Sequence, residues 1–429
     1  LAADSRNRAD WLLGVNSSHA ICKAVGFGNN SLGRVQTPVL AEICRRYRER
    51  ENHMPADSWP VFISLCKNDR ILKMRHVDDL VARREALALY EDCKAAKNAR
   101  ITAVGKRTEE IGAPALYNLA ELQKDANRYH SLTAIQVQEI AQSLYEKKLI
   151  SYPRTSSRLL PKDVYDTLPP VMEKMLSRKE FRQYAGMVDL AAPQDSIGAQ
   201  DTMEHHAIII TGIQPGKLGR EEMLVYTLIV GRVLETFMPP CKVEYTTVDA
   251  VCAARKFRIR TYRILEKGWL GIFEREHLVA KGRMPYQVMP DLFQEEMLPV
   301  AGCSLIHKKS LPVSPYTDEE LVDYMDKAGL GTVSTRTNIL RTLLERKYIR
   351  YSGKYVVPTP KGLLLYETVR GMKVADASLT SGWETELARI ERGELSQEEF
   401  LDGVLETVNE VTGEIFRNHP VEKRPQGTI

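Results

Sequence analysis

The sequence predicts a multidomain α+β protein in which helical and β-rich regions alternate. Its 429 residues, 43% of them hydrophobic, are enough for two to four domains with separate cores. Patterns typical of helices and strands follow one another in the order α, β, α, β, α. Because a long helical stretch separates the two β regions, we expect nested domains, with both β regions joined in one sheet domain.

The helical and β-rich regions are read from periodicity. Residues 6–50 have helical spacing, interrupted by a Gly-Asn-Asn loop at 26–33. Residues 58–108 are strand-like around a charged helix at about 79–97, and residues 115–237 return to helices. Alternating apolar and polar residues then predict strands over 241–311, and the remaining residues are mostly helical.

Two helical segments, 115–154 and 317–357, have the same predicted order of helix, turn, helix and strand. Capping boxes at Thr133 and Thr317 begin a helix in each. In the second segment, Ser352-Gly353 turns the chain into another strand and completes a winged-helix pattern. Such units bind nucleic acid or serve as ordinary packing devices, and the pattern leaves both readings open.

Charge and composition exclude several classes of protein. The net charge is only +4, so a polyanionic partner is neither required nor excluded. No apolar run approaches the length of a membrane span. The seven cysteines contain no CxxC pair, which favours reduced, mostly buried thiols over disulfides or zinc. The GxxxxGK[ST] loop of ATP-driven motors is missing.

Tyr152 is the candidate nucleophile, within the stretch LISYPRT at 149–155. A tyrosine has a pKa near 10, so attack on a phosphodiester needs help with its proton and with the phosphate charge. Arg154 offers a fork that matches two phosphate oxygens, and Pro153 restricts the backbone of the tyrosine. Taken alone, this tetrapeptide is weak evidence, because most tyrosines at a strand end simply pack.

Two adjacent histidines, His205 and His206, precede an apolar run. Neighbouring side chains on a strand point to opposite faces, so a shared metal ion is disfavoured. A hydrogen bond from one histidine to a phosphate and a purely structural histidine remain equally open.

Five motifs in order resemble the type IA DNA topoisomerases, particularly bacterial topoisomerase III. Each motif is modest, but their common order is specific, and the likeness spans nearly the whole chain. It selects Tyr152 over Tyr351, which has no Pro-Arg-Thr after it. The motifs are SLGRVQTPVL at 31–40, LISYPRT at 149–155, HHAII at 205–209, GLGTVSTR at 329–336 and GWETEL at 382–387.

The resemblance implies a toroidal core with a β-rich arch and two winged-helix-like helical domains. The corresponding boundaries are base 1–56, arch 57–113, a domain with the active-site tyrosine at 114–238, arch 239–312 and base 313–429.

The resemblance also implies the chemistry of the site. Tyr152 would form a 5'-phosphotyrosine, Arg154 would steady the scissile phosphate, and His205 would assist nearby. Because the phosphotyrosine keeps the energy of the broken bond, resealing would need no ATP. A groove for single-stranded DNA would contact the backbone more than the bases, through Ser31, Arg34, Gln36, Thr37, Thr335 and Arg336.

Mg²⁺ is the cofactor implied by the family, where an N-terminal Toprim domain holds it. That domain is not in this sequence, and the opening Leu-Ala-Ala-Asp suggests a piece of a longer polypeptide. We therefore expect no metal site in this chain, weak binding of single-stranded DNA and little cleavage by the chain alone. The expected partner is single-stranded or negatively supercoiled DNA. We expect the protein to act as a monomer in the bacterial cytoplasm, at the nucleoid, and not to bind a membrane.

Two alternatives to a type IA topoisomerase are a non-catalytic module and a different DNA-cleaving enzyme. A catalytically silent module for single-stranded DNA fits the paired winged-helix patterns. A tyrosine recombinase fits poorly, because its nucleophile lies near the C-terminus after an arginine and a His-x-x-Arg, whereas Tyr152 precedes His205. One departure from the family is Ser156, which stands where an acidic residue is usual.

Overall fold

The chain passes through three bodies in the order base, barrel, middle domain, barrel and base, which makes it a multidomain α+β protein as predicted. The computed structural model describes residues 1–25, 30–179, 181–188, 205–282, 284–333 and 335–419. Part of the predicted Gly-Asn-Asn loop, and Ser334 of GLGTVSTR, lie outside these ranges.

The base begins with two helices, and the barrel follows. Leu13 and Ile21 of the first helix are fully buried, and Pro38 lies in the first turn of the second, where its missing N–H costs nothing. The elements are α1 (Ala2–Val25), α2 (Gln36–Glu51), β1 (Asp57–Ser58), β2 (Val61–Lys67), β3 (Arg70–His76), α3 (Arg83–Ala95) and β4 (Asn98–Ile111).

The middle domain lies between the two passages through the barrel and is mostly helical. Asn118 caps its first helix by accepting the backbone N–H of Glu121, and Thr133 forms the predicted capping box with Gln136. Its helices are α4 (Leu119–His130), α5 (Ala134–Glu146), α6 (Lys162–Tyr165), α7 (Leu168–Leu176) and α8 (Arg220–Thr236).

The second passage closes the barrel. Antiparallel pairing of β4 with β5 runs from Arg100 opposite Val251 to Ile111 opposite Cys241, so the prediction that the two β regions join is confirmed. The strand order around the barrel is β2-β3-β6-β5-β4-β7. The new strands are β5 (Cys241–Cys252), β6 (Arg255–Glu266), β7 (Met297–Leu305) and β8 (Lys308–Lys309), the last of which pairs with β1.

The chain returns to complete the base. Here the capping box at Thr317 and the β-wing are present as predicted. None of the helices in the described ranges is long and apolar enough to cross a membrane. The elements are β9 (Tyr316–Thr317), α9 (Asp318–Lys327), α10 (Arg336–Glu345), β10 (Ile349–Ser352), β11 (Tyr355–Pro358), α11 (Pro360–Val369), α12 (Ala377–Glu391) and α13 (Gln397–Asn418).

The strands that connect the barrel to the middle domain contribute residues to two separate apolar cores. Val248 of β5 and Ile259 of β6 belong to the barrel core, whereas Val243 and Tyr262 on the same two strands belong to the core of the middle domain. The strands β4, β5 and β6 therefore form a continuous ribbon that begins in one core and ends in the other.

The two segments with the same sequence pattern also have the same structure. Lys148 and Lys347 both have a positive φ, of 59° and 58°, two residues before Ile150 and Ile349. Both isoleucines pair antiparallel, Ile349 with Pro358 in strand β10 and Ile150 with Ile210 in an isolated bridge, which stands where a strand was predicted in the first unit. The repeat predicted from sequence is therefore a structural repeat.

The two repeated units pack against each other, like helix against like helix: α4 contacts α9, and α5 contacts α10. Lys124 and Asp323, 199 residues apart and equivalent in the two units, form an ion pair of 2.8 Å. Contact between equivalent positions is the pattern of an isologous, two-fold arrangement. The interface joins the middle domain to the base, so the three bodies close a ring.

Where the segment after β6 packs on the middle domain, a buried ionic network accompanies the apolar core. Arg232 of α8 binds Asp125 at 2.8 Å and Glu235 at 3.1 Å, and Arg275, from the segment after β6, binds Asp125 at 3.0 Å. Glu235 is fully buried, and burial raises the pKa of its carboxyl to about 7.

Replacing Glu235 with glutamine should make stability less dependent on pH. Because the pKa is raised in the folded chain, folding binds an extra proton between about pH 4.5 and 7, and this stabilisation is lost as the pH rises through that window. In the unmodified chain, the free energy of unfolding in urea should be about 1–3 kcal/mol lower at pH 8 than at pH 5 through this group. In Glu235→Gln this difference should be smaller. Glu406→Gln, on an exposed face of α13, is the control. An equal pH effect in both variants would refute this role of Glu235.

Candidate active site and nucleic-acid groove

The chain around Tyr152 is held by hydrogen bonds on both sides of the tyrosine. Before it, the Ser151 hydroxyl donates to the carbonyl of Ala207 at 3.0 Å and accepts the N–H of Ile209 at 2.9 Å. After it, the buried Thr155 hydroxyl donates to the carbonyl of His205 at 3.0 Å. The segment that bears the tyrosine is therefore fixed to the segment that bears the histidines.

Tyr152 itself is half-buried and held through its ring. The ring lies 4.4 Å from that of His205, centroid to centroid and tilted by 46°, and meets the ring of Tyr145 edge-on at 5.4 Å. Within the described ranges its hydroxyl makes no hydrogen bond. The ring is thus oriented by its contacts with two other aromatic rings.

Tyr351, the equivalent of Tyr152 in the second unit, has the opposite environment. Its hydroxyl donates to the carboxylate of Asp318, with oxygen distances of 2.9 and 3.1 Å, and that carboxylate also accepts the N–H of Ala134. Burial raises the pKa of Tyr351 far above its usual value. Tyr351 thus helps hold the interface between the units, whereas Tyr152 makes no such hydrogen bond to any residue that the structure describes.

Arg154 follows two residues after the tyrosine and is partly exposed. Its Nε is buried and, among the described residues, has no hydrogen-bond partner. A buried N–H without a partner costs about 1–3 kcal/mol, a cost that a bound anion would remove. The structure brings Tyr152 and His205 together, and shows no hydrogen bond in its described part from Arg154 to either.

The remaining residues near the tyrosine have structural partners. His206 is half-buried, with Nδ1 2.7 Å from the carbonyl of Ala207, whereas His205 is exposed. Ser156 is exposed and its carbonyl accepts the side-chain amide of Asn118 at 3.0 Å. A structural function for His206 leaves His205 as the histidine available at the site.

Three of the predicted DNA-contacting residues, Arg34, Gln36 and Thr335, line one cavity of about 300 Å³ in the base. Arg34 is buried, and its guanidinium binds Asp10 at 2.5 Å and Glu384 at 2.9 Å. Both carboxylates also line the cavity. The arginine is held at the wall of the cavity by its ion pairs, and its contact with DNA stays a prediction.

The other three predicted residues lie outside the lining of that cavity. Thr37 is buried and accepts the N–H of Gly33 at 3.0 Å, so its hydroxyl stabilises the turn before α2. Arg336 is buried and binds Asp326 at 2.6 Å, with its Nε and Nη1 lacking partners in the described part of the chain. Ser31 accepts a hydrogen bond from Arg346. Whether these residues contact DNA stays a prediction.

Sequence reasoning missed Arg346 and Arg6 as site residues. Arg346 bridges Ser31 and Gln36, at 3.0 Å from the latter, and Arg6 lines the cavity while binding Glu384 at 2.6 Å. The one available signal was the spacing of Arg6 and Asp10, four residues apart on a helix and therefore on one face.

Comparison with known proteins identifies the family. The sequence profile of a family described as DNA topoisomerase matches residues 1–402. DNA topoisomerase 1 of Methanocaldococcus jannaschii is 29% identical over 407 residues, 94% of this chain and 52% of the relative. DNA topoisomerase 3 of Bacillus licheniformis is 28% identical, over 96% of this chain and 60% of the relative. Because these two identities are nearly equal, they do not show whether the chain is more similar to DNA topoisomerase 3 or to DNA topoisomerase 1. The particular likeness to topoisomerase III stays a prediction.

A solved structure has the same fold. Full-length topoisomerase I from Thermotoga maritima superposes with a TM-score of 0.76 at 19% identity, covering 96% of this chain and 68% of that one. The chain spans between about half and three-fifths of the length of the curated relatives it matches. On the matched profile and these relatives, the chain belongs to the type IA DNA topoisomerase family.

Proposed function

We propose that this chain carries the strand-cleaving tyrosine of a type IA topoisomerase, Tyr152, and passes one DNA strand through a break to relax or decatenate DNA. The contrast between the two equivalent tyrosines carries the proposal. Tyr351 is bound to a carboxylate, whereas Tyr152 is oriented by its ring and has no hydroxyl partner in the described ranges. The stretch SYPRT at 151–155 supports the same residue.

The reaction exchanges one phosphodiester for another. The Tyr152 oxygen loses its proton and attacks the phosphorus, the bond to the 3' oxygen breaks, and that oxygen leaves as a hydroxyl after taking up a proton. The product is a 5'-phosphotyrosine, and attack by the 3' hydroxyl reverses each change. Because one phosphodiester replaces another, the cycle needs no ATP.

Arg154 and His205 would assist the tyrosine. The Arg154 guanidinium, with a buried N–H that has no partner in the described part, would bind the scissile phosphate and offset charge that develops during attack. His205, in ring contact with Tyr152 and exposed, would hold or pass on the proton.

The substrate proposed is single-stranded or negatively supercoiled DNA. The cavity at Arg34, Gln36 and Thr335, together with Ser31, Thr37 and Arg336, would hold a strand mainly through its backbone. We also propose that the protein acts as a monomer in the bacterial cytoplasm, at the nucleoid; the name of the relatives, DNA topoisomerase, supports only the DNA substrate.

Mg²⁺, the cofactor expected from the family, does not fit the residues described. Nowhere in the described ranges do three His, Cys, Asp or Glu side chains come close enough to hold a metal ion. Any Mg²⁺ needed for cleavage would therefore have to be held by a part of the relatives that lies beyond the match.

The test is to trap the covalent product. The chain is mixed with Mg²⁺ and the unmatched portion of the Methanocaldococcus relative, then with oligonucleotides labelled at either end. A 5'-phosphotyrosine transfers the 3' label to the protein and releases the 5' label, and digestion should place the adduct on the peptide with Tyr152. Transfer of the 5' label, or an adduct elsewhere, would refute the proposal. Binding of DNA with no adduct would favour the silent DNA-binding module.

A further inference from the structure

A cavity of about 460 Å³ on the barrel is lined by four cations and no carboxylate. Arg75 comes from β3, Arg258 and Arg260 from β6, and Lys281 from the segment that follows. The other lining residues are His76, Val77, Met284 and Pro285. We refer to this cavity as the basic pocket. It lies on a different body from both Tyr152 and the cavity at Arg34.

Strand register concentrates positive charge in the basic pocket. Arg75 stands directly opposite Arg258 on neighbouring antiparallel strands, and Arg260, two residues along β6, projects from the same face as Arg258. Like charges directly opposite one another destabilise a sheet. The barrel retains this unfavourable pair at the pocket.

Neighbouring carboxylates compensate only part of this charge. Asp249 binds Arg258 at 2.5 and 2.8 Å, Asp79 pairs with Arg75, and Glu109 binds Lys281 at 2.6 Å. Arg260 is exposed and has no ion pair or hydrogen bond within the described ranges. Glu109 is shared with Arg107, so it offsets the charge of Lys281 only in part. Among the four lining cations, Arg260 is the one with no carboxylate partner in that part of the chain.

The chemistry of the lining indicates the ligand. Guanidinium forks match the paired oxygens of phosphates and carboxylates alike, so this lining indicates an oxyanion as the ligand. The lining contains no tyrosine, tryptophan or phenylalanine on which a base could stack. A backbone phosphate fits this lining better than a nucleoside does.

We propose that the basic pocket binds a phosphate of the DNA backbone, as a contact separate from the cleavage site and from the groove in the base. The identity of the polyanion rests on the proposed function. The contact would hold DNA to the barrel irrespective of sequence, because a phosphate carries no base information.

The test is the salt dependence of DNA binding by the full chain, measured by fluorescence anisotropy with a single strand and with a duplex of equal length. The slope of log K against log salt is negative, and loss of one phosphate contact makes it shallower by about 0.7 for a single strand and about 0.9 for a duplex. Arg260→Gln should show this decrease with at least one of the two DNAs. Arg255→Gln is the matched control, an exposed arginine on the same strand outside the pocket, and should leave the slope unchanged.

Three outcomes would overturn the proposal. The first is an equal salt slope in Arg260→Gln and Arg255→Gln, and the second is no DNA binding by the unmodified chain. The third is that Arg260→Gln abolishes binding of inorganic phosphate but leaves DNA binding unchanged. The slope is independent of adduct formation, so failure here leaves the proposal for Tyr152 standing. Failure of the adduct test leaves the slope difference equally measurable.

Discussion

Replacing Tyr152 with phenylalanine is expected to abolish the covalent adduct while leaving DNA binding intact. Phenylalanine keeps the ring that packs on His205 and Tyr145 and removes only the oxygen, which has no hydrogen bond in the described part of the chain. The change should therefore cost little stability. Loss of a nucleophile typically lowers turnover by roughly 10⁵–10⁶-fold, so no adduct should be visible on a denaturing gel.

The matched control for this variant is Tyr145→Phe. Tyr145 touches the ring of Tyr152 and is 39% exposed, so its hydroxyl can be removed from the same aromatic cluster without removing the proposed nucleophile. We expect near-normal adduct formation from it. An adduct of normal yield in Tyr152→Phe would show that another residue attacks the phosphate.

Arg154→Gln should slow strand cleavage by about 10²–10³-fold, the usual cost of removing one preorganised group that stabilises transition-state charge. Glutamine keeps hydrogen-bonding capacity but loses the charge. Arg154→Lys keeps the charge but not the fork, so its cleavage rate should lie between those of the unmodified chain and Arg154→Gln. Single-turnover cleavage of a labelled oligonucleotide at saturating protein measures the chemical step apart from binding.

The control for Arg154 is Lys162→Gln, an exposed cation in the same domain that pairs with Asp166. It removes one positive charge at a distance from Tyr152 in the sequence and should leave the cleavage rate unchanged. If Arg154→Gln weakens DNA binding but cleaves at the normal rate once bound, the arginine binds the substrate only and our assignment is wrong.

Local patterns predicted much of the fold. Capping boxes such as that at Thr317 and the alternation in β5 and β6 depend on neighbouring residues, so one sequence is enough to find them. The repeat was visible for the same reason. The bridge between Ile150 and Ile210 was not visible in the sequence, because a partner some 60 residues away leaves no periodic signal.

The candidate site was predictable only in part. Tyr152 and His205 were predicted as site residues from motif order; the structure places their rings in contact, and their functions stay predictions. The burial of Arg34 could not be foreseen, because Glu384, one of its two partners, lies 350 residues away in sequence. A basic residue beside a groove motif looks the same in sequence whether it faces solvent or an acidic partner.

The division of the connecting ribbon between two apolar cores determines where the molecule can bend. Around Gly105, Thr247 and Arg260, which lie opposite one another on β4, β5 and β6, the ribbon passes from one cluster to the other. Flexing there opens neither hydrophobic interior, so it requires less free energy than deformation within either body. Any swivel of the middle domain about the barrel would pivot at this crossing, beside Arg260, the guanidinium that we propose binds a phosphate.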